Sequence, residues 1–418
     1  MIKDTNLVGQ IKKQLPAELI QFMQMAGDVA AGMGQKLYLV GGVVRDLILE
    51  RKNLDLDLVA EGDAIALAEE LAKLKKGRVI AHSRFNTAKI KWDKWSVDIA
   101  TTRAETYEKS GSLPVVRCGG DIENDLVRRD FSINAMAVYL DPSHYGELID
   151  LYRGREDLEK GRIRVLHDYS FRDDATRIWR AVRYEQRLDF KIERHTLDLL
   201  KRDISYLDVI SGDRIRHELE LVLEEERPEK ALLRADELGL LARMSPAVEA
   251  GLWLAKMFTR ARGLMQPYSP PEELYLAFLV YRLSPEALED WIAYLKFTRS
   301  VSQILQETLH LKNELPCLAA AEMTPSQIHR CLHRYHQVAI LANLMESGSP
   351  LVRQRIELYL NKLRFIHPAI TGADLMDMGL ASGPRIKEVL EILREARLDG
   401  KVASREEELK LIKTSRSF

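Results

Sequence analysis

The chain has 418 residues, of which 46% are hydrophobic and 30% are charged, so it is long enough for several ordered units with cores of their own. The 62 basic and 63 acidic residues nearly cancel, which excludes a uniformly basic surface and means that any nucleic-acid partner requires charge segregated along the chain. The three cysteines, Cys118, Cys317 and Cys331, are too few and too scattered for a disulfide framework.

Membrane insertion and secretion are not expected from the hydropathy pattern. No stretch approaches the roughly 20 uncharged apolar residues that span a bilayer, and the first residues lack the apolar core of a signal peptide. We therefore expect a cytoplasmic protein without a membrane partner.

The secondary-structure signals change along the chain. Up to about residue 140, short apolar or β-branched runs such as KLYLVGG, LDLDLVAE and SVDIAT alternate with helical patterns, which predicts a mixed α/β unit. From about residue 170 onward, apolar residues recur at spacings of three and four, and the rest of the chain is predicted to be all-helical.

The first chemical signal is LYLVGGVVRD followed by NLDLDLV. Gly41 and Gly42 allow the backbone to approach phosphates closely, with N–H groups free to meet anionic oxygens. Asp55 and Asp57 lie two apart on a predicted strand, so both side chains point to one face and form a hard-oxygen site suited to Mg²⁺. Such a pair can hold two ions for nucleotidyl transfer. The alternative for an isolated DLD is an exposed strand, and the preceding GG and Arg45–Asp46 weigh against it.

Two further groups extend this candidate site. Asp98, in WSVDIATT, is the candidate third carboxylate, although an ordinary strand-end Asp remains an equal alternative. The segment DLVRRDFSINAMAV places charged residues before an apolar run. Its arginines, Arg128 and Arg129, can form forked bonds to a triphosphate, Asp130 can accept from sugar hydroxyls, and Asn134 can orient the loop.

These motifs occur in a recognisable order. GGVVRD, DLD, RRDFSINAMA, LIDLYRGREDLEKGRIRV, RDDATRIWRAVR and RIRHEL resemble the successive motifs of the class II tRNA nucleotidyltransferases and bacterial poly(A) polymerases, strongly over about residues 35–220. The resemblance implies an α+β head with a five-stranded polymerase-β-like sheet, followed by all-α neck, body and tail domains. We assign these to residues 1–145, 146–220, 221–340 and 341–418, with the tail binding tRNA.

The resemblance also implies how the nucleotide base is selected. An acid and an arginine three residues apart, here Asp174 and Arg177, would read the base from one helix face, with Arg180 nearby. A carboxylate accepts from the amino group of C or A, and Arg donates to the adjacent ring nitrogen, so U and G present the wrong polarity. The alternative is a helix-capping Asp and a solvent-facing Arg. This chain has Ala175–Thr176 where a Pro-Leu pair is common in the family.

Two segments are open to more than one interpretation. The polar stretch TTRAETYEKSGSLPVVRCGGDIEND corresponds to the family's flexible loop, and its Leu113–Pro114 pair also resembles enzymes that add only the terminal A. IHRCLHRYHQ places His329, His333 and His336 at helical spacing, which superficially suggests a metal site, but the interleaved arginines favour a basic or solvated helix.

The sequence therefore predicts a template-independent tRNA nucleotidyltransferase that adds all or part of CCA to tRNA 3′ ends and releases pyrophosphate. Its expected cofactor is Mg²⁺ as two ions, its substrates are ATP and CTP, and its partner is the acceptor arm and 3′ end of tRNA. A poly(A) polymerase of the same superfamily and a catalytically silent RNA-binding homologue are the alternatives. Intact Asp55 and Asp57 weigh against the silent one.

Overall fold

The computed structural model of the protein describes residues 6–106 and 115–414. The chain forms two compact units. The first contains the described residues up to Glu225 together with Glu237–Arg243, and the second contains Glu226–Asp236 and the described residues from Met244 onward. The strands are β1 Lys36–Val40, β2 Leu56–Glu61, β3 Arg78–His82, β4 Thr87–Trp92, β5 Trp95–Thr101, β6 Arg103–Thr106, β7 Val115–Cys118, β8 Ala137–Tyr139, β9 Leu148–Ile149, β10 Arg162–Ile163 and β11 Lys191–Ile192.

Helices account for most of the remaining regular structure. In the first half of the chain they are α1 Val8–Gln14, α2 Ala17–Gly32, α3 Gly42–Ile48, α4 Ala64–Lys75, α5 Ile122–Val127, α6 Gly154–Glu159, α7 Ser170–Asp173, α8 Thr176–Leu188, α9 Arg194–Asp203 and α10 Gly212–Leu223. In the second half they are α11 Pro228–Glu237, α12 Leu240–Met244, α13 Leu252–Met265, α14 Glu272–Val280, α15 Pro285–Leu295, α16 Arg299–Glu314, α17 Pro325–Leu332, α18 Gln337–Glu346, α19 Pro350–Asn361, α20 Gly372–Asp377, α21 Pro384–Leu398 and α22 Arg405–Thr414. No described helix is long and apolar enough to cross a membrane.

The first unit is built on one mixed sheet. Its seven strands follow the order β3-β4-β5-β2-β1-β8-β9, and only β2 and β5 are parallel neighbours. The expectation of a five-stranded sheet was wrong, because the edge strand β3 and the two-residue strand β9 also pair with it. The expected α+β head followed by a largely helical region is confirmed.

Helices cover both faces of this sheet. One face packs on α2 and α4, where Phe22 stacks on Trp92 with ring centroids 4.4 Å apart. On the other face, Tyr38, Val40 and Val59 pack against Ile122 and Leu126 of α5. Because α5 covers only part of this face, the residues that follow it lie beside the uncovered end of β2.

The helical region departs from the expectation in one detail. β11 pairs in parallel with β10 as a two-stranded sheet, so the segment predicted as an all-α neck contains a small β element. The proposed head, neck, body and tail boundaries stay predictions.

The second unit is entirely helical in its described residues. One of its cores is formed by residues of α16 to α19, including Leu332, Ile340 and Ile356, and a smaller core lies between α20, α21 and α22. Cys317 and Cys331, which are distant in sequence, have their sulfur atoms 3.4 Å apart as free thiols.

Candidate active site

Three carboxylates lie near one end of the sheet. Asp57 is the second residue of β2 and is in register with Asp98 on the parallel strand β5, so the two side chains share a face. Asp55 was predicted to lie on the same strand as Asp57, but it immediately precedes β2, and its backbone N–H donates to Asn53 Oδ1. Lys89, the register partner of Asp98 on β4, places its Nζ 3.0 Å from the Asp98 carboxylate.

The electrostatic environment of Asp57 shows how close these charges are. The Asp57 side chain is exposed, and it is one of several charged groups that line a cavity. Burial, followed by repulsion from Asp55 and Asp98, raises the pKa of Asp57 to about 6, while Arg129 and Lys89 oppose this rise. A carboxylate cluster with this excess of negative charge favours a bound cation.

Gly41 forms the turn between β1 and α3. Its φ of +77° is in the left-handed region that favours glycine. A Cβ atom added here would lie 3.2 Å from Nη1 of Arg129 and 3.6 Å from Oδ2 of Asp57. The turn therefore brings bare backbone close to both the carboxylates and an arginine, as expected for a phosphate-binding turn.

Asp125 organises the two predicted triphosphate-binding arginines. This fully buried carboxylate of α5 accepts from Arg128 at 2.5 Å and from Arg129 at 2.8 Å. Arg128 also bonds Glu105 at 3.1 Å. Burial would raise the pKa of Asp125, but the two arginines hold it below its usual range. The arginines are thus fixed in place, with their side chains largely shielded from solvent.

The remaining predicted nucleotide-binding residues form a buried chain of hydrogen bonds. Arg45 pairs with Asp46 at 2.8 Å and donates to Asn134 at 2.8 Å. Asn134 donates to Asp130 at 3.0 Å, and Arg180 donates to the second oxygen of Asp130 at 2.9 Å and 2.5 Å. This network connects α3, the loop after α5 and α8, so its members mainly position one another.

The expected geometry of Asp174 and Arg177 was wrong. Asp174 is in an extended conformation between α7 and α8, and it does not share a helix face with Arg177. Arg177 is buried, with its guanidinium donating to Ser170 Oγ at 2.8 Å and to the carbonyl of Arg128 at 2.6 Å. Asp174 is paired instead with Arg214 of α10, at 2.8 Å.

A cavity of about 910 Å³ brings most of the predicted site residues together. Those that line it are Gly41, Gly42, Asp57, Asp98, Arg128, Arg129, Asp130, Asn134, Asp174, Arg177 and Arg180. Asp55, Arg45 and Asp46 are not among its lining residues. Most of the predicted site residues therefore line one cavity.

Several lining residues were not predicted as site residues, among them Arg103, Glu105, Thr176, Tyr184 and His217. Arg103 and Glu105 lie on the β6–β7 hairpin, and the alternating charges of TTRAET were the available signal. The Leu113–Pro114 pair of the same loop lies outside the described residues. Arg214 and Glu218 of α10 also line the cavity.

Comparison with known proteins decides the family. Residues 37–164 match the Poly A polymerase head domain, and residues 189–252 match the probable RNA and SrmB-binding site of polymerase A. The chain is 32% identical to the A-adding tRNA nucleotidyltransferase of Halalkalibacterium halodurans, over 97% of this chain and 94% of that protein. The chain belongs to the tRNA nucleotidyltransferase family. The prediction of this family, and of a nucleotidyltransferase enzyme, is confirmed.

Two further members of the family show the extent of the similarity. The A-adding tRNA nucleotidyltransferase of Geobacter sulfurreducens is 34% identical over 98% of this chain, and the chain spans 48% of that protein's length. The solved CCA-adding enzyme of Thermotoga maritima, in complex with tRNA, superimposes with a TM-score of 0.74 at 29% identity and covers 98% of each chain. Both activities that the sequence left open, A addition and CCA addition, thus occur among the relatives.

The carboxylates suit a magnesium ion that is held jointly with a nucleotide. Among the described residues, no three His, Cys, Asp or Glu side chains converge closely enough to hold a metal by themselves. Mg²⁺ is commonly bound by one or two carboxylates plus substrate phosphates and water. Asp57 with Asp98 or Asp55 therefore fits such an ion only together with a triphosphate.

The histidine cluster of the second unit is not the solvated helix that the sequence predicted. Helix α17 ends at Leu332 and α18 begins at Gln337, so His336 lies on the next helix's N-cap and not on the face of His329. His329 is buried, stacks on His333 at 5.0 Å and contacts the ring of Tyr359 at 5.8 Å. It is a core residue.

We expect His329 to make stability depend on pH. Burial, followed by repulsion from His333 and Arg394, lowers its pKa to about 4, below the unfolded value of 6.5. The unfolded chain therefore gains the proton first, and stability falls as the pH drops from 6.5 towards 4. Between neutral pH and about pH 5 the loss should be about 1–2 kcal/mol.

Thermal melting of wild type and His329→Gln across this range measures the effect. The variant should show a shallower fall of the melting temperature with decreasing pH. Identical pH profiles for the two proteins would assign the acid sensitivity to other groups.

Proposed function

We propose that this chain transfers AMP from ATP to the 3′ end of a tRNA that already ends in CC. The oxygen of the tRNA 3′-hydroxyl forms a bond to the α-phosphorus and the hydroxyl proton is released. The bond from the α-phosphorus to the oxygen bridging it to the β-phosphate breaks, and pyrophosphate leaves. The proposal specifies which nucleotide is transferred, and to which tRNA end, within the nucleotidyl transfer that the family performs.

The observation that carries this proposal is the composition of the cavity. The carboxylates Asp57 and Asp98 and the glycine turn line the same cavity as Asp174 and Arg177. The proposed reaction centre and the proposed base-reading groups thus line a single cavity of nucleotide size. The names of the Halalkalibacterium and Geobacter relatives support addition of A in particular.

In this proposal the carboxylates act on the reacting phosphate. Asp57 and Asp55 would hold two magnesium ions together with the triphosphate, and Asp98 would assist them. Bound Mg²⁺ lowers the cost of deprotonating the 3′-hydroxyl and stabilises the charge that develops on pyrophosphate. Without a cation, the cluster would repel the triphosphate that it has to position.

The arginines and the glycine turn would hold the triphosphate. Backbone N–H groups at Gly41 and Gly42 can donate to phosphate oxygens, and Arg128 and Arg129, fixed by Asp125, supply positive charge. Both carboxylate oxygens of Asp130 already accept from protein donors. We therefore assign the network of Arg45, Asp46, Asn134 and Arg180 around Asp130 to positioning rather than to direct contact with the ribose.

Asp174 and Arg177 would read the adenine. The Asp174 carboxylate accepts from the N6 amino group, and Arg177 donates to N1. Uracil and guanine present a carbonyl oxygen and an N–H in the corresponding places, so they meet like polarity on both groups. Since tRNA is the proposed substrate, the cytoplasm stays the predicted location and the helical tail the predicted tRNA-binding region.

Single-turnover extension assays test this function. Three tRNA transcripts, ending before CCA, after the first C and after CC, are incubated with Mg²⁺ and labelled ATP, CTP or both. We expect one A on the CC transcript and no extension of the other two. Full CCA on the first transcript would make this a CCA-adding enzyme, a long A tail on generic RNA would make it a poly(A) polymerase, and no transfer would favour a silent RNA-binding homologue.

A further inference from the structure

The two oxygens of the Asp174 carboxylate have different surroundings. Oδ1 accepts three hydrogen bonds, from the backbone N–H of Thr176 at 3.0 Å, from Thr176 Oγ1 at 2.7 Å and from Arg214 Nη2 at 2.8 Å. Within residues 6–106 and 115–414, no group donates to Oδ2. Oδ1 is therefore fixed by the protein, Oδ2 keeps its capacity to accept hydrogen bonds, and Asp174 lines the cavity.

Thr176 is well placed to fix this carboxylate. It is the first residue of α8, it is buried, and it lines the cavity. The direction of its hydroxyl is set by the hydrogen bond to Asp174 Oδ1. The Thr176 hydroxyl supplies one of the three donors to Oδ1, so the contact depends on the residue type at this position.

We propose that Thr176 is a positioning residue which, together with Arg214, orients the Asp174 carboxylate so that Oδ2 receives the N6 amino group of ATP. The inference rests on the proposed function, because it assigns Asp174 to base reading. Holding Oδ1 with three donors leaves a single acceptor direction for the base. A base with a carbonyl oxygen at this position would be repelled by the carboxylate, because the carboxylate cannot rotate to avoid it.

A purely structural role for the same contact is distinguishable. The backbone N–H of Thr176 also donates to Asp174, and this bond satisfies the first N–H group of α8 without the hydroxyl. Replacing the hydroxyl by a methyl group in Thr176→Val removes the side-chain bond and keeps the backbone bond, the side-chain volume and the β-branch. If the hydroxyl only stabilised the helix, its loss would lower the melting temperature without affecting which base is accepted.

The test compares ATP with purine riboside triphosphate, which carries hydrogen in place of the N6 amino group. Wild type, Thr176→Val and Thr176→Ser are assayed on the CC-ending transcript. For Thr176→Val we expect kcat/KM for ATP to fall about five- to tenfold, the size of one typical hydrogen bond, with little change for purine riboside triphosphate. Thr176→Ser, which keeps the hydroxyl, should restore most of the preference for ATP.

Each outcome bears on the inference. Equal loss with both nucleotides, or an unchanged ATP preference in Thr176→Val, would overturn the positioning role. If Thr176→Val does not fold, Thr176→Ala gives the same comparison, since it also lacks the hydroxyl. Asp174→Ala sets the upper limit, because it removes the carboxylate itself. Failure of wild type to extend any transcript would overturn the proposed function instead, and this result is separate from any difference between the variants.

Discussion

Asp57→Asn is expected to abolish nucleotide transfer, with a loss of at least about a thousandfold in rate, while tRNA binding is retained. Asp57 lies close to both other carboxylates. It is in register with Asp98, and the negative charge of Asp55 contributes to its raised pKa. An amide of the same shape leaves the strand intact but withdraws the charge that would hold a metal ion and its nucleotide. Transfer assays with Mg²⁺ and a tRNA gel-shift measure the two properties separately.

Folding of this variant provides the control. Removing one of three neighbouring negative charges relieves repulsion, so the melting temperature without Mg²⁺ should stay the same or rise. Asp28→Asn, an equivalent change at an exposed position of α2, should leave transfer and stability unaffected. Wild-type transfer rates in Asp57→Asn would rule out a catalytic role for this carboxylate.

Asp130→Ala is expected to cause the largest loss of stability, about 3–5 kcal/mol. Asp130 is buried and accepts from Arg180, Asn134 and the backbone N–H of Phe131. Its removal leaves the Arg180 guanidinium, itself largely enclosed, without its carboxylate partner. Thermal melting should show a fall of roughly 10 °C in the transition of the first unit.

A surface pair gives the matched comparison. Lys73 and Glu70 are 2.6 Å apart on α4, but both side chains are largely exposed, so Glu70→Gln should cost less than about 1 kcal/mol.

The stabilisation by Asp130 should also depend on pH. Burial would raise the pKa of Asp130, but Arg180 and Asn134 hold it below its usual range. The stabilisation is therefore present at neutral pH and lost as the pH falls through that lowered pKa. An Asp130→Ala protein that melts like wild type would show that the network is not a source of stability.

Local sequence features were sufficient where chemistry depends on neighbouring residues. The Gly41–Gly42 turn, the DLD strand and the RRD segment were predicted from residue type and spacing, because strand periodicity and glycine conformation act over a few residues. Their order along the chain indicated the family, and family membership indicated the fold. Both conclusions are confirmed.

Contacts between distant segments were beyond the reach of spacing arguments. The helical periodicity of RDDATRIWRAVR suggested that Asp174 and Arg177 share a face, but α8 begins only at Thr176. Asp174 has an extended backbone, and its carboxylate pairs with Arg214, which is forty residues away in the sequence. The three-residue spacing therefore did not place the two side chains on one helix face. His336 was misplaced for the same reason, since a helix boundary separates it from His329.

The sequence by itself determined which residue types were available for nucleotidyl transfer and on which strands and turns they lie. The tertiary structure decided which of them meet. The parallel pairing of β2 with β5 places Asp98 beside Asp57, and α5 supplies Asp125 to fix Arg128 and Arg129. The physical reason is that strand pairing and the burial of charge depend on the free energy of the whole folded unit, which no local pattern records.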